Sequence, residues 1–281
     1  MAKKHIYLLF LVICPVLPGC DSNKDNTHTN DSLDLRQDTV AFADSLQLKY
    51  RSLIQNLPAP VEMLRNITGS GMKYRDSLIN FPENVSRYSK SNTQAINLGI
   101  YGADLSYLIA MEQFGQVGPY IRSVKKLADV IVIPSVFDAN TMGQYDKNRN
   151  NGDTLQNIIY QSYKKIDVTL QDNQRLGLAT LVVTGSWIEA MYITTQHIEK
   201  EGPSDKKGKP LNDILIHQKI HLKSLSELAG NFNNDPFFAE LKTSLSDLAD
   251  VFPDNGLPDA DHLKIITTKV ASLRNRIVKM E

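Results

Sequence analysis

The 281-residue chain has very little cysteine and no net charge. Two cysteines, Cys14 and Cys20, are too few for a disulfide scaffold or a four-thiolate metal site. The 31 basic and 31 acidic side chains balance, which argues against a nucleic-acid-binding protein that relies on a basic excess. A hydrophobic content of 42% is typical of a folded domain, so the composition excludes an extended disordered chain and a membrane protein with several spans.

The sequence also lacks catalytic signatures. It contains no HExxH zinc motif, no Gly-x-Ser-x-Gly nucleophile elbow and no dinucleotide-binding fingerprint. We can name no nucleophile with a matching base, so the sequence favours a protein without enzymatic activity. It predicts no cofactor.

The N-terminus has the pattern of an export signal. A basic start precedes an apolar run over residues 6–17, which is too short for a transmembrane helix of about 20 residues. The run is followed by Pro-Gly-Cys ending at Cys20, which resembles the lipobox of bacterial lipoproteins. In that motif a small residue such as Gly19 precedes the cleavage site, and the cysteine thiol carries a diacylglycerol whose acyl chains, such as palmitate, form the anchor. The resemblance implies a lipoprotein signal peptide over residues 1–19 and lipidation of Cys20.

The segment after the lipobox predicts a tether. Residues 21–32 contain no apolar side chain, so they cannot bury enough surface to offset the entropy lost on ordering. We expect residues 20–37 to form a flexible polar tether and residues 38–281 to form a single helical domain. The expected location is the cell envelope, with the protein anchored to the outer membrane and facing the periplasm or the exterior.

From residue 38 onward, apolar residues recur at spacings of three and four, which is the period of amphipathic helices. The sequence therefore predicts an all-α fold, a bundle of paired antiparallel helices. Proline, glycine and Asp N-cap signals place the helix ends. The predicted helices cover residues 39–56, 92–114, 117–132, 135–148, 153–171, 173–200, 211–232, 236–251 and 259–279, and a short helix begins at Pro60.

Two of these helices carry glycines among apolar residues. The glycines are Gly99, Gly102, Gly177 and Gly185. Glycine inside a helix costs stability relative to alanine, so close helix packing is the best reason for its presence. A weak internal two-fold repeat, which relates residues 92–132 to residues 173–232, is a further expectation.

Asp104 and Glu189 are isolated charges on otherwise apolar predicted helices. We expect both carboxyls to be at least half buried, and a buried carboxyl must be neutralised, paired or hydrogen-bonded. Two interpretations stay open. In one, the two carboxylates line an interior pocket as acid/base groups or metal ligands. In the other, each carboxylate holds a neighbouring helix or loop in place.

Two aromatic residues complete the candidate ligand-binding set. Tyr107 follows Asp104 by three residues, and Trp187, the single tryptophan, precedes Glu189 by two. For Trp187 the simpler interpretation is a core anchor whose indole N–H is hydrogen-bonded.

His217 and His221 are candidate metal ligands by their spacing. They stand four residues apart on the predicted helix 211–232, so both can face one ion. No third ligand lies at a telling distance, and both fall on the flank of the apolar stripe. A position at the rim of an interface is therefore the favoured alternative.

Three segments of the sequence together carry a resemblance to a known family. They are Pro58-Ala-Pro60-Val-Glu62, the run from Asn97 to Tyr107, and Gly185-Ser-Trp-Ile-Glu189. Together they resemble a family of uncharacterised all-helical lipoproteins from Bacteroidota, over about residues 55–195. The resemblance implies an all-helical, envelope-anchored protein without an assigned activity.

The sequence thus predicts a lipid-anchored cell-envelope protein, in the simplest case a non-catalytic helical binding or scaffold module. It would contact a membrane through Cys20 and an envelope protein as partner, without nucleic acid. The alternative is a small-ligand or metal-binding lipoprotein that uses an interior site around Asp104 and Glu189.

Overall fold

The computed structural model describes residues 31–55, 57, 63–64, 72–131, 136–201 and 214–281. The predicted signal peptide and lipobox lie outside the described residues, and so does most of the short helix predicted from Pro60. The chain divides into two compact units, Met1–Phe42 and Ala43–Glu281. In the first unit, the described residues belong to helix α1, which covers Asp31–Ile54.

Helix α1 begins earlier than the sequence predicted. Residues 31–37 are helical, although the flexible tether was expected to reach residue 37. The apolar-free stretch ends at Ser32, and the next residues include Leu33, Leu35 and Arg36, which favour a helix. No proline or glycine interrupts them.

In the second unit, the described residues form α-helices and two short 3-10 helices and contain no β-strand, so the predicted all-α class is confirmed. The α-helices after α1 are α2 (Ser91–Ala110), α3 (Phe114–Ile131), α4 (Ala139–Lys147), α5 (Gly152–Asp172), α6 (Leu176–Glu201), α7 (Gln218–Gly230), α8 (Pro236–Ala249) and α9 (Ala260–Val278). The 3-10 helices, Asp76–Leu78 and Pro82–Arg87, precede α2.

Local capping residues explain several helix ends. The Asp235 and Asp259 side chains accept hydrogen bonds from main-chain N–H groups in the first turns of α8 and α9, as predicted. Helix α7 differs from its prediction because it begins at Gln218, after a turn at residues 216–217.

Helices α2 and α6 form the centre of the second unit. Helix α2 is buried on every side from Thr93 to Ile109. Among the described helices, only the segment Leu176–Lys200 of α6 is long and apolar enough to cross a membrane, and 83% of its most apolar window is buried inside the protein. Its hydropathy therefore fits a core helix.

The two central helices run parallel. Gly99 of α2 lies against Val182 of α6, and further along both helices Tyr107 lies 2.9 Å from His197. Contacts thus advance in the same direction on both helices. Helices α7 and α8, which are joined by a short turn, are antiparallel, as the sequence predicted, because Ser226 contacts Ser246 and Gly230 lies beside Lys242. The parallel central pair was not predicted. The sequence argument concerned only helices that follow one another in the chain, and it gave no information on the relative direction of helices that are distant in the chain.

Gly99 and Gly185 allow the main chains of α2 and α6 to touch. A Cβ on Gly99 would overlap the carbonyl oxygen of Val182, and a Cβ on Gly185 would overlap that of Ile96. Val182 precedes Gly185 by three positions, and Ile96 precedes Gly99 by three positions. The two contacts are therefore equivalent, and a local two-fold axis relates them. Close packing is therefore confirmed as the reason for these two glycines. The longer two-fold repeat stays a prediction.

Candidate functional site

Asp104, Glu189 and Arg274 form a buried ionic network between α2, α6 and α9. Both carboxyls are fully buried, and Arg274 is only 6% exposed. Arg274 donates from Nε to Glu189 Oε2 over 2.8 Å and from Nη2 to Oε1 over 2.7 Å. Its Nη2 also lies 3.3 Å from the carbonyl oxygen of Leu78, and its guanidinium lies over the ring of Tyr192 at 4.7 Å. This bidentate geometry is the strong form of an arginine–carboxylate contact.

The third member, Asp104, is biased towards its neutral, protonated form. Its Oδ2 accepts a hydrogen bond from the main-chain N–H of Asn80 over 3.1 Å. Burial, and then the charge of Glu189, raise the pKa of Asp104 well above its usual range, although Arg274 opposes the shift. A proton on Asp104 replaces repulsion between the two carboxyls by a hydrogen bond. The network then contains one cation and one anion.

The pKa of Arg274 supports the same charge assignment. Burial disfavours its charged form, but the carboxylate of Glu189 outweighs that cost, and the net effect raises the guanidinium pKa. Arg274 therefore stays charged and needs Glu189 as its partner.

The network also joins distant parts of the chain. Asn80, which binds Asp104, donates from its side chain to Tyr88 Oη over 2.9 Å. Tyr88 in turn donates to the carbonyl oxygen of Val278 at the end of α9, over 3.2 Å. The segment before α2 and the last helix are thus both fixed to the centre, which is what the structural interpretation of the two carboxyls predicts.

The sequence predicted the burial of Asp104 and Glu189, which is confirmed, but it missed Arg274. A signal was present: Arg274 occupies a position between Val270 and Ile277 in the buried stripe of α9, where an apolar residue is expected. None of the five principal clefts in the described part of the chain is lined by Asp104 or Glu189.

Tyr107 belongs to a separate buried cluster. Its hydroxyl accepts a hydrogen bond from the main-chain N–H of Arg75 over 3.1 Å and lies 2.9 Å from Nε2 of His197. Because the hydroxyl already accepts, we assign it as the donor to an unprotonated Nε2. Burial, with the charges of Arg75 and Lys200, lowers the pKa of His197 to about 4, so this histidine is neutral at physiological pH. The sequence did not point to His197.

Trp187 is a core residue that also lines a cleft. It is 3% exposed, and its indole N–H donates to Gln218 Oε1 over 2.8 Å, which confirms the core-anchor interpretation. The cleft beside it lies between α2, α5 and α6 and has a volume of about 120 Å³. Tyr160, which is 46% exposed, lines its open side.

The polar side chains around this cleft bind to other parts of the protein. The carboxylate of Asp167 accepts from the Tyr50 hydroxyl over 2.6 Å and from Gln171 Nε2 over 2.7 Å. Burial nevertheless raises the pKa of Asp167 above its usual value, against the effect of both hydrogen bonds. Three of the four side-chain hydroxyls in the lining, those of Tyr163, Ser106 and Ser186, donate to main-chain carbonyls of α2. The remaining lining is mostly aliphatic and aromatic.

The two candidate metal ligands lie at the start of α7. His217 is exposed at the start of α7, and the Nδ1 of His221 lies 3.3 Å from Gln218 Oε1. Within the described ranges, no group of three or more His, Cys, Asp or Glu residues could hold a metal ion. The lipidation site, Gly19 and Cys20, lies outside those ranges.

Fold and site together define a class: an all-α bundle built on two parallel core helices, with a buried ionic network and a separate apolar cleft. No family model, no curated protein and no solved structure matches the chain. The resemblance to Bacteroidota lipoproteins therefore stays a prediction.

Proposed function

We propose that this protein is a lipid-anchored, non-catalytic binding protein of the cell envelope, and that its cleft at Trp187 binds the hydrocarbon part of an amphiphile. The supporting observation is the cleft's lining. Apart from the half-exposed Tyr160, the polar side chains of the lining are already hydrogen-bonded within the protein, so a ligand that fills the cleft gains free energy mainly from apolar contact.

The size of the cleft limits the ligand. Its volume of about 120 Å³ is close to that of an engineered apolar cavity of about 150 Å³ that stays dry and binds benzene. A six-membered ring or a short alkyl segment therefore fits, and a whole lipid does not. We propose that the end of an acyl chain or a comparable ring enters the cleft.

The lipobox supports the proposed location. A lipid on Cys20 would hold the bundle beside the membrane, where amphiphiles are concentrated. The outer membrane, with the bundle facing the periplasm or the exterior, is the location we propose, and an envelope protein could receive or deliver the ligand. The interior site around Asp104 and Glu189 stays a prediction, and a ligand there would have to displace Arg274.

The single tryptophan makes the ligand proposal testable. Titration of unlipidated protein with benzene or 1-hexanol should change the Trp187 fluorescence in a saturable way. Ala179→Leu adds methyl groups to the wall of the cleft and should weaken this binding. Val168→Leu, which enlarges an exposed side chain on α5, is the matched control and should bind as the wild type does. Equal binding by wild type and Ala179→Leu would refute the cleft as the site.

The anchor needs its own test. Cells grown with an alkyne analogue of palmitate should label the wild-type protein in the membrane fraction. Cys20→Ala should lose both the label and the membrane association. Labelling that persists in Cys20→Ala would show that the anchor is elsewhere or absent.

A further inference from the structure

The open side of the apolar cleft carries two polar side chains of α5. Tyr160 lines this side and is 46% exposed. Lys164 follows it by four residues on the same helix and is exposed as well. Residues four apart are neighbours on a helix surface, with Cβ atoms about 5–6 Å apart. The phenol hydroxyl and the ammonium group can therefore both reach one chemical group at the entrance of the cleft.

Neither of these two groups is engaged elsewhere in the protein. The Tyr160 hydroxyl and the Lys164 ammonium have no hydrogen-bond or ion-pair partner among the residues that the structure describes. By contrast Tyr163, which lines the same cleft, donates to the carbonyl oxygen of Leu98 over 2.6 Å. The hydroxyls in the interior of the cleft are thus fixed by the protein, whereas the donors at its entrance are available to a ligand.

Lys164 lies at the edge of the lining. Tyr163, directly before it, and Asp167, three residues after it, both line the cleft. A lysine at such an edge lays its four-carbon stem along apolar surface and keeps its ammonium in water. The positive charge therefore stays at the entrance, outside the apolar interior.

The entrance determines which head group the ligand carries. A hydroxyl and an ammonium both donate hydrogen bonds, and the ammonium is charged, so together they favour an anionic acceptor. The volume of about 120 Å³ admits only a short tail, which leaves the head group at the entrance. On the basis of the proposed function, in which the cleft takes up the hydrocarbon part of an amphiphile, we infer that the ligand is a short-chain monocarboxylate. Its alkyl tail packs beside Trp187, and its carboxylate binds Tyr160 and Lys164.

Asp167 is the opposing charge. Among the described residues that line the cleft it is the acidic one, and it would favour an amine. Its Oδ1 already accepts from Tyr50 over 2.6 Å and its Oδ2 from Gln171 over 2.7 Å. Because both oxygens are bonded within the protein, Asp167 has less to offer a ligand than Lys164 has. The relative affinities of a carboxylate and an amine with the same tail decide between the two charges.

Three ligands of equal chain length separate the head group from the tail. They are hexanoate, 1-hexanol and hexylamine, and Trp187 fluorescence follows their binding to the protein. Hexanoate should bind about two- to fivefold more tightly than 1-hexanol, and hexylamine should bind most weakly. The advantage of hexanoate should shrink as salt rises. Hexanoate binding no tighter than that of 1-hexanol or hexylamine would overturn the carboxylate inference and leave the cleft as a hydrocarbon site. No saturable response to any of the three would refute the proposed function and this inference together.

Variants locate the head group. Lys164→Gln should weaken the binding of hexanoate about two- to fivefold more than that of 1-hexanol, and Lys164→Glu should place hexylamine above hexanoate. Tyr160→Phe removes the hydroxyl donor and should also weaken the binding of hexanoate. The matched control is Lys126→Gln, which removes an exposed lysine from α3 and should bind hexanoate as the wild type does. Unchanged hexanoate affinity in Lys164→Gln, or an equal loss in Lys126→Gln, would contradict the assignment.

Discussion

Arg274 donates two short hydrogen bonds to the carboxylate of Glu189, of 2.8 and 2.7 Å, between the last helix and the central helix α6. Both side chains are buried, at 8% and 0% exposure. Bringing two charges into a protein interior costs free energy that their mutual attraction roughly repays, so the pair adds little net stability. Removing only one of the two side chains is strongly destabilising, since the remaining charge stays buried without its partner.

The first prediction concerns this asymmetry. Glu189→Gln should lower the free energy of unfolding by about 3–5 kcal/mol, because it removes the carboxylate that binds the guanidinium of Arg274 directly. The double variant Glu189→Leu/Arg274→Met removes both charges and should recover much of that loss in urea unfolding. The matched control is Glu240→Gln, which breaks the exposed 3.1 Å contact with Arg276 on the same helix. It should cost less than about 1 kcal/mol, and equal losses would contradict the burial argument.

The second prediction concerns the proton on Asp104. The raised folded-state pKa means that the carboxyl's contribution to stability is complete below its ordinary value of 3.8 and is lost as pH rises through the folded pKa. Asp104→Asn imitates the protonated form, since the amide can accept from the Asn80 N–H and donate toward Glu189. The stability of the wild type relative to this variant should therefore decline with rising pH over that interval. Urea unfolding of both proteins across this range measures it, and parallel pH profiles would exclude a raised pKa.

Helix content and the burial of Asp104 and Glu189 could be predicted because they depend on local information. The apolar period sets the helices, and a lone charge on an apolar helix indicates a buried polar group. The partner Arg274 could not be assigned, since its position relative to Glu189 depends on how α9 packs on α6. The parallel direction of α2 and α6 was missed for the same reason. The spacing of apolar residues shows which face of a helix is buried, but it does not show whether a helix distant in the chain packs parallel or antiparallel to it.

The third prediction concerns the contact of α2 with α6. Gly99→Ala and Gly185→Ala each place a methyl group where a backbone carbonyl oxygen lies, so the helices must separate. Each should lower the free energy of unfolding by roughly 3 kcal/mol, at the upper end of overpacking costs. Gly143→Ala in α4 is the control, because nothing lies within 4 Å of its added Cβ. It should raise stability by about 0.5–1 kcal/mol. Thermal unfolding would then move in opposite directions, and a uniform gain would refute the close contact.

The fourth prediction concerns His197. Burial lowers its folded-state pKa from 6.5 to about 4, so its contribution to stability is present above pH 6.5 and is lost as pH falls through about 4. Relative to His197→Gln, which cannot titrate, the wild type should lose stability over this range. His262→Gln replaces a half-exposed histidine and serves as the control. Direct titration of the imidazole by NMR would decide the matter, and a pKa of His197 near 6.5 would contradict the burial of its ring.

The last prediction concerns the turn between α5 and α6. Gln174 has φ of 56°, a left-handed conformation that costs an L-residue about 1–2 kcal/mol. Glycine usually occupies this position after a helix, where it closes the same main-chain hydrogen bonds, here from the Arg175 N–H to the Leu170 carbonyl oxygen. Gln174→Gly should therefore stabilise the protein by about 0.5–1 kcal/mol, after the greater backbone entropy of glycine in the unfolded chain is subtracted. The neighbouring Asn173, with φ of −89°, gains nothing from glycine, so Asn173→Gly should destabilise. Opposite shifts in the urea midpoint of these adjacent variants are the expected result, and a loss of stability in both would show that the turn carries no strain at Gln174.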